Sequence, residues 1–275
     1  MDFNTLFIGN IAFDINSFYY GNNEEKLRVI NNGGACFYSA VPASLFYKVG
    51  IVSRIGEDFN INVFDKYDID TLGLKIFKNE KSTYFHQIYR FTDQKKREVL
   101  SQINSKLLVS EHDIPEEYLN CKHIHITTNE PIIQLKLVEY IRSQSTATIS
   151  IDTIKGFSND PITRKVFDMV DIAFIDQDFD KLLSCKAKTK IIKCGKNGCY
   201  YMSQNNNFFV NVTEANVIDK TGAGDCMNGV FINLIANGWT CEEALRKAVE
   251  VASKSILDHG VEHLEKIYTK RRYLR

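Results

Sequence analysis

A chain of 275 residues with 34 basic and 34 acidic side chains carries no formal net charge, which argues against a general electrostatic grip on nucleic acid or an anionic membrane. Its 44% hydrophobic and 25% charged content is that of a globular protein with a sizeable core. No run of about 18 apolar residues offers a membrane span. The opening MDFNTLFIGNIAFD has no basic leader and is expected to be a first strand, with a cytoplasmic location, instead of a signal peptide.

Taken along the chain, short apolar runs alternate with helix-length segments. Strands are expected over 5–11 (TLFIGNI), 49–56 (VGIVSRIG), 123–127 (HIHIT), 147–152 (ATISID), 172–176 (IAFID) and 190–195 (KIIKCG). Between two of them, PIIQLKLVEYIRSQ places Ile133, Leu137 and Ile141 on one helical face, with Leu135 and Val138 beside them. This alternation predicts a mostly parallel central sheet covered by helices on both faces, in three α/β/α layers. Region 82–103 departs from it. STYFHQIYRF alternates by twos, TDQKK offers a turn and REVLSQI can return, a hairpin pattern that fits a flap over a site or an antiparallel sheet edge. With four prolines and no composition break, 1–275 is expected to be a single domain.

The seven cysteines are scattered without a C-x-x-C pair, which fits reduced structural thiols better than a zinc site. His123 and His125 share one strand face, but no third ligand stands nearby to complete a metal site.

The most restrictive stretch is DKTGAGDCMNG, residues 219–229. Met227, Val230, Phe231, Leu234 and Ile235 recur at helical spacing, so a helix is expected to begin near Gly224 or Asp225 and to end at Asn237–Gly238. A second follows, with Thr240 and Glu243 at capping-box spacing. Thr221 to Gly224 therefore feed a helix N-terminus, where free N–H groups and the helix dipole favour an anion. Gly222, Ala223 and Gly224 would let that anion approach the backbone. Asp225 is out of place in an anion site unless its task is to take a proton from a hydroxyl beside the phosphate; the alternative is a plain helix-starting acid.

The string VIDKTGAGDCMNGVF resembles the C-terminal signature of the ribokinase-like (PfkB-type) carbohydrate kinases, and the resemblance extends over nearly the whole chain. NNGGACFYSAVPASLFYKVGIVSRIGEDF (31–59) resembles the N-terminal signature, GNIAFD (9–14) the first strand with its terminal acid Asp14, and SIDTIKGF (150–157) the loop that carries Asp152. KCGKNGCYY (193–201) resembles the strand-turn motif near the nucleotide, and ASKSILDHG (252–260) the helix packed against adenine. The resemblance implies a small β lid, from about 15–30 and 82–103, over an acceptor site. It implies ATP and Mg²⁺ as cofactors, and a homodimer formed through the lid. Asp225 would be the catalytic base with Gly222, Ala223 and Gly224 as anion hole. Lys193, Gly195, Gly198, Thr221 and His259 would hold the nucleotide. Asp14, Asn32, Gly33, Gly34, Tyr38, Asp152 and Asp225 would meet the small polyhydroxylated substrate, with neither nucleic acid nor membrane as a partner.

Three departures stand out. Tyr38 replaces an Asn that contacts sugar in ribokinase. Lys193 replaces a common Thr, and either reaches phosphate or points to solvent. FIDQDFDKLL lacks the Asn-x-x-Glu that organises metal in many members, leaving Asp178 or Asp180 as candidates. The expected activity is phosphorylation of an alcohol on a sugar, cyclitol or nucleoside. The competing readings are a kinase for a vitamin-type pyridine or pyrimidine, and a binding-only regulator on the same fold.

Overall fold

The apolar strand runs pair with one another, so the C-terminal ends of the parallel strands lie along one side of the sheet. The computed structural model describes residues 2–20, 24–91, 96–212 and 215–268. Its strands are β1 (Thr5–Ile8), β2 (Ala12–Tyr20), β3 (Glu24–Gly33), β4 (Val49–Gly56), β5 (Ile69–Phe77), β6 (Tyr84–Phe91) and β7 (Lys96–Gln102). They continue with β8 (His123–Ile126), β9 (Thr148–Ile151), β10 (Ile172–Asp176), β11 (Thr189–Lys193), β12 (Cys199–Ser203) and β13 (Asn207–Val210). The helices are α1 (Ala35–Ser44), α2 (Pro131–Gln144), α3 (Pro161–Phe167), α4 (Asp180–Leu183), α5 (Ala223–Ala236), α6 (Cys241–Ser255) and α7 (Leu264–Tyr268).

Nine strands form the central sheet in the order β13-β12-β11-β10-β9-β8-β1-β4-β5. Neighbours from β5 to β11 run parallel, and only β12 and β13 at one edge are antiparallel. Chain order runs outward in both directions from the β1–β8 pair, a topological switch point of the kind that opens a crevice at the strand C-termini. Successive strand residues point to opposite faces. Phe7 therefore joins the core under α1, α5 and α6, with Phe37, Phe174 and Phe231. Leu6 and Ile8 join the core under α2 and α3, with Leu137 and Phe167. This is the three-layer α/β/α architecture expected from the alternation.

Strands β3-β2-β6-β7 form a separate four-stranded sheet, the lid. Region 82–103 is thus a hairpin of the lid and not an edge of the main sheet; its expected turn, 92–95, lies outside the described residues. One correction concerns Asp14. The first strand stops at Ile8, and Asp14 belongs to lid strand β2, which pairs with β6 in parallel and with β3 in antiparallel register. Because the lid alternates, Asp14, Asn16 and Phe18 face inward with Asn31 and Gln87. Ile15 and Ile30 share the outer face with Leu100. Among the described residues no helix is long and apolar enough to cross a membrane.

Candidate active site

Three adjacent parallel strands bring polar residues from their C-terminal ends together, although β9 stops opposite Ala173, short of the ends of β10 and β11. Asp176 and Lys193 are direct register partners at the ends of β10 and β11, and Asp152 follows β9 immediately. The Lys193 ammonium lies 3.0 and 2.8 Å from the two oxygens of Asp152 and 3.4 Å from Asp176. Burial pulls its pKa down, but the charges of Asp152 and Asp176 more than reverse this and hold it well above the ordinary lysine value. For Asp176 burial dominates and raises the carboxyl pKa, against the pull of Lys193. Lys193 therefore points into the site and not to solvent.

Helix α5 brings its N-terminus to the same place. Gly222 is its N-cap, in the left-handed region at φ 73°. A Cβ there would lie 2.2 Å from the Tyr38 ring. The absent side chain at Gly222 thus makes room for Tyr38, whereas a Cβ at Gly224 would meet only the Lys193 ammonium, at 3.7 Å. The Ala223 N–H, expected in the anion hole, donates to the Lys220 carbonyl at 3.2 Å. That leaves Gly224, which lines the cavity beside it, as the best-placed amide for an anion. One residue on stands Asp225. Burial, reinforced by the charge of Asp152 and opposed by Lys193, pushes its carboxyl up to about 8.

The cavity has a volume of about 980 Å³, at the upper end for small-molecule sites. Lys193, Gly224 and the turn Gly195–Gly198 line it on one side, Val249, Ala252 and Ile256 on another, and Val212 with Val217 close it. Gly198 holds the turn at φ 114° against β13, where a Cβ would fall 2.0 Å from the Val210 carbonyl. The expected nucleotide-side residues Lys193, Gly195 and Gly198 thus meet, together with the 252–256 segment.

Thr221 and His259 do not line this cavity. The Thr221 hydroxyl is 3.5 Å from Gln87 of the lid. His259 lies 3.5 Å from Asp219 and stands edge-on to Phe18, because the loop after α6 turns toward the lid. Asp219 also accepts hydrogen bonds from the buried Asn16 amide of β2, at 2.7 Å, and from the Thr221 N–H, at 2.9 Å.

On the acceptor side, Asp14 is 2% exposed, and its carboxylate occupies the space of a Cβ at Gly33. The Tyr38 hydroxyl lies beside it; burial first, then the Asp14 charge, hold that phenol well above its usual pKa. Gly34 caps α1 against the Asn10 carbonyl. Asn32 is displaced from the site. It pairs in register with Phe13 on the outer face, and its amide reaches Glu262 at 3.2 Å. Its neighbour Asn31 pairs with Asp14 and presents a buried amide nitrogen with no partner among the described residues. Further along the same lid face, Phe18 and Tyr89 stack at 5.0 Å and 8°. Asp152, expected to meet the substrate, is enclosed by Lys193 and the Asn228 amide at 2.6 Å.

Asp178 pairs with the exposed Lys155 at 3.6 Å and Asp180 opens α4; neither lines the cavity. Among the described residues no cluster of three or more acidic, His or Cys side chains could hold a metal ion. A magnesium ion here would rest chiefly on phosphate oxygens and water, which is its usual habit. The buried His123 and His125 are driven down to about 3 by burial, and His125 contacts Ser150 at 2.8 Å.

Sequence reasoning overlooked Asn228 and Asn16, and within FIDQDFDKLL it preferred Asp178 and Asp180 to Asp176. Asn228 had a signal: a polar residue on the apolar face of α5, one turn beyond Asp225 and fully buried. Asn16 shares the lid face of Asp14 by simple alternation.

The chain is 26% identical over 274 residues to the cytidine kinase of Thermococcus kodakarensis, covering 92% of this chain and 96% of the relative. Its fold matches the nucleoside kinase of Burkholderia thailandensis solved with inosine, with a TM-score of 0.80 and 14% identity over 97% of both chains. An E. coli protein solved with ATP and Mg²⁺ matches with a TM-score of 0.78 and 21% identity, over 98% of this chain and 99% of that one. At such identities these two structures speak for the fold alone. The profile described as pfkB family carbohydrate kinase matches residues 130–267, from the start of α2 through the Gly222–Asp225 turn to α7. On that match, the chain belongs to the pfkB family of carbohydrate kinases.

Proposed function

We propose that the protein is an ATP-dependent phosphotransferase that phosphorylates an alcohol group of a small polyhydroxylated acceptor, a nucleoside ahead of sugars and cyclitols. One observation carries this reading. Asp225, whose carboxyl has a raised pKa, directly follows the Gly224 amide that lines the large cavity, and it feels the charges of Lys193 and of Asp14 on the lid. An acid in that position suits a base that takes the acceptor's hydroxyl proton as the oxygen attacks a phosphoryl group. The Gly224 amide, the helix dipole and the Lys193 ammonium supply the matching positive field for phosphate oxygens. Mg²⁺ bound with the nucleotide would neutralise part of the phosphate charge. Lid residues Asp14, Asn31 and Asn16 keep water out and orient hydroxyls, Asp14 as acceptor and Asn31 as donor.

The preference for a nucleoside rests on the likeness to the cytidine kinase and on the lid's aromatic face. The Phe18–Tyr89 stack with His259 at its edge suits a flat base, while Asp14 suits ribose hydroxyls. The test is ADP release from Mg-ATP against a panel of nucleosides, sugars, inositols, pyridoxal and hydroxymethylpyrimidine, with Asp225→Asn as control. A nucleoside-dependent signal lost in the variant supports the reading. A signal with pyridoxal or hydroxymethylpyrimidine alone replaces the acceptor class, and nucleotide binding without turnover on any acceptor overturns the enzyme.

A further inference from the structure

Asp152 has no room for a substrate. It is 3% exposed, and its two oxygens accept four hydrogen bonds. One oxygen receives the Thr153 N–H at 2.8 Å and Lys193 at 3.0 Å; the other receives Lys193 at 2.8 Å and the Asn228 amide at 2.6 Å. Three donor groups making four contacts fill the capacity of a carboxylate. Asn228 lies three residues beyond Asp225 on α5, so both project from the same helix face. Asn228 thereby ties the helix that carries Asp225 to the strand end that carries Asp152.

The Lys193 ammonium has a choice of acids. It lies 3.7 Å from the Cβ position of Gly224, next to Asp225, yet its contacts are with Asp152 and Asp176. A lysine released from Asp152 would be shared between Asp176, at 3.4 Å, and Asp225, and a base closed in a salt bridge is a poor base. Resting on the kinase reading above, we propose that Asp152 is a positioning residue: with Asn228 it holds the Lys193 ammonium on the phosphate side of the cradle and away from Asp225, leaving Asp225 open to the acceptor's proton.

The groups facing Asp225 are few. Asp152 and Lys193 face it from the sheet, Asp14 from the lid, Tyr38 and Cys36 from α1, and Cys226 from its own helix. Burial keeps the phenol and both thiols neutral, so the charge balance at Asp225 is set by Asp152, Lys193 and Asp14. Neutralising Asp152 removes one negative neighbour and frees one positive neighbour, and both changes favour the Asp225 anion.

The experiment is an NMR titration of the Asp225 carboxyl carbon in nucleotide-free protein labelled with ¹³C-aspartate, assigned by its loss in Asp225→Asn. Asp152→Asn is expected to lower the midpoint by about one pH unit or more, and Lys193→Met to raise it. In the Lys193→Met background, Asp152→Asn should move it by less than half as much, since no ammonium remains to be released. Asn228→Ala, which loosens Asp152 without removing its charge, should lower the midpoint in the same direction and decides the matter if Asp152→Asn fails to fold. A midpoint unmoved or raised by Asp152→Asn, or an unchanged response in the Lys193→Met background, would overturn the proposal. An acceptor KM raised by Asp152→Asn with the midpoint unmoved would return Asp152 to substrate binding. The titration needs no acceptor, so a failed kinase assay and a failed titration refute different statements.

Discussion

Replacing Asp225 by Asn should separate turnover from stability in a pH-dependent way. Its carboxyl has a folded value of about 8 against 3.8 for the free side chain. A raised folded value means that the folded state binds the proton more tightly than the unfolded chain. The stabilising effect of that proton is fully present below the unfolded value and is lost as pH rises toward 8. Asparagine mimics the protonated form and loses nothing. The variant should therefore gain stability over wild type across pH 4 to 8, at a limiting slope of about 1.4 kcal/mol per pH unit, and level off above. Solvent at the partly open cavity mouth will reduce the slope, and a total gain of ~2–4 kcal/mol is the reasonable expectation. Urea unfolding of both proteins at half-unit steps from pH 4 to 9 measures it. Turnover should meanwhile fall by ~10²–10⁴-fold. A stability difference flat with pH would refute the claim that Asp225 is half-buried among unfavourable neighbours, and the base assignment would weaken with it.

Other changes probe other parts of the site. Lys193→Met should weaken ADP binding about tenfold by calorimetry, and should cost ~3–5 kcal/mol of stability by leaving Asp152 and Asp176 without their ammonium. Gly222→Ala must adopt φ 73° and drive a methyl into the Tyr38 ring, so nucleotide affinity and melting temperature should fall together, by ~1–3 kcal/mol in stability. His123 and His125, neutral in the fold down to about pH 3, must charge on unfolding below 6.5. Stability should thus drop as pH falls from 6.5, and His125→Gln should make the acid side of the urea-midpoint profile shallower.

Much of this architecture was legible because parallel strands buried on both faces read as plain apolar runs. VGIVSRIG and IAFID match β4 and β10 residue for residue, and the capping box at Thr240–Glu243 opens α6 as expected. The short edge strands β12 and β13 were not read, since alternating Tyr200 and Met202 leave half their side chains in solvent and no continuous run to notice. The nucleotide-side glycines and the Asp225 turn depend on local chain geometry, which sequence encodes directly. Contacts across elements are another matter. Nothing in SIDTIKGF reveals that Asp152 faces Lys193 and Asn228, because that meeting depends on how separate strands and one helix pack together. Asn31 and Asn32 differ only in which way a pleat turns them, and spacing within NNGG cannot choose between them.

The hydrogen bond from Asn16 to Asp219 ties the cover of the box to its floor. Asp219 is 5% exposed and immediately precedes the turn that leads to Gly222. Raising the lid therefore strips a buried carboxylate of a donor, a loss of roughly 1–3 kcal/mol unless water takes its place. If the acceptor enters beneath these strands, as proposed, its entry and the shape of the turn are coupled through this hydrogen bond. Whatever steadies the turn also favours a shut lid, and a shut lid steadies the turn in equal measure. Such reciprocity gives each of two ligands a stake in the other's arrival, with no contact between them required.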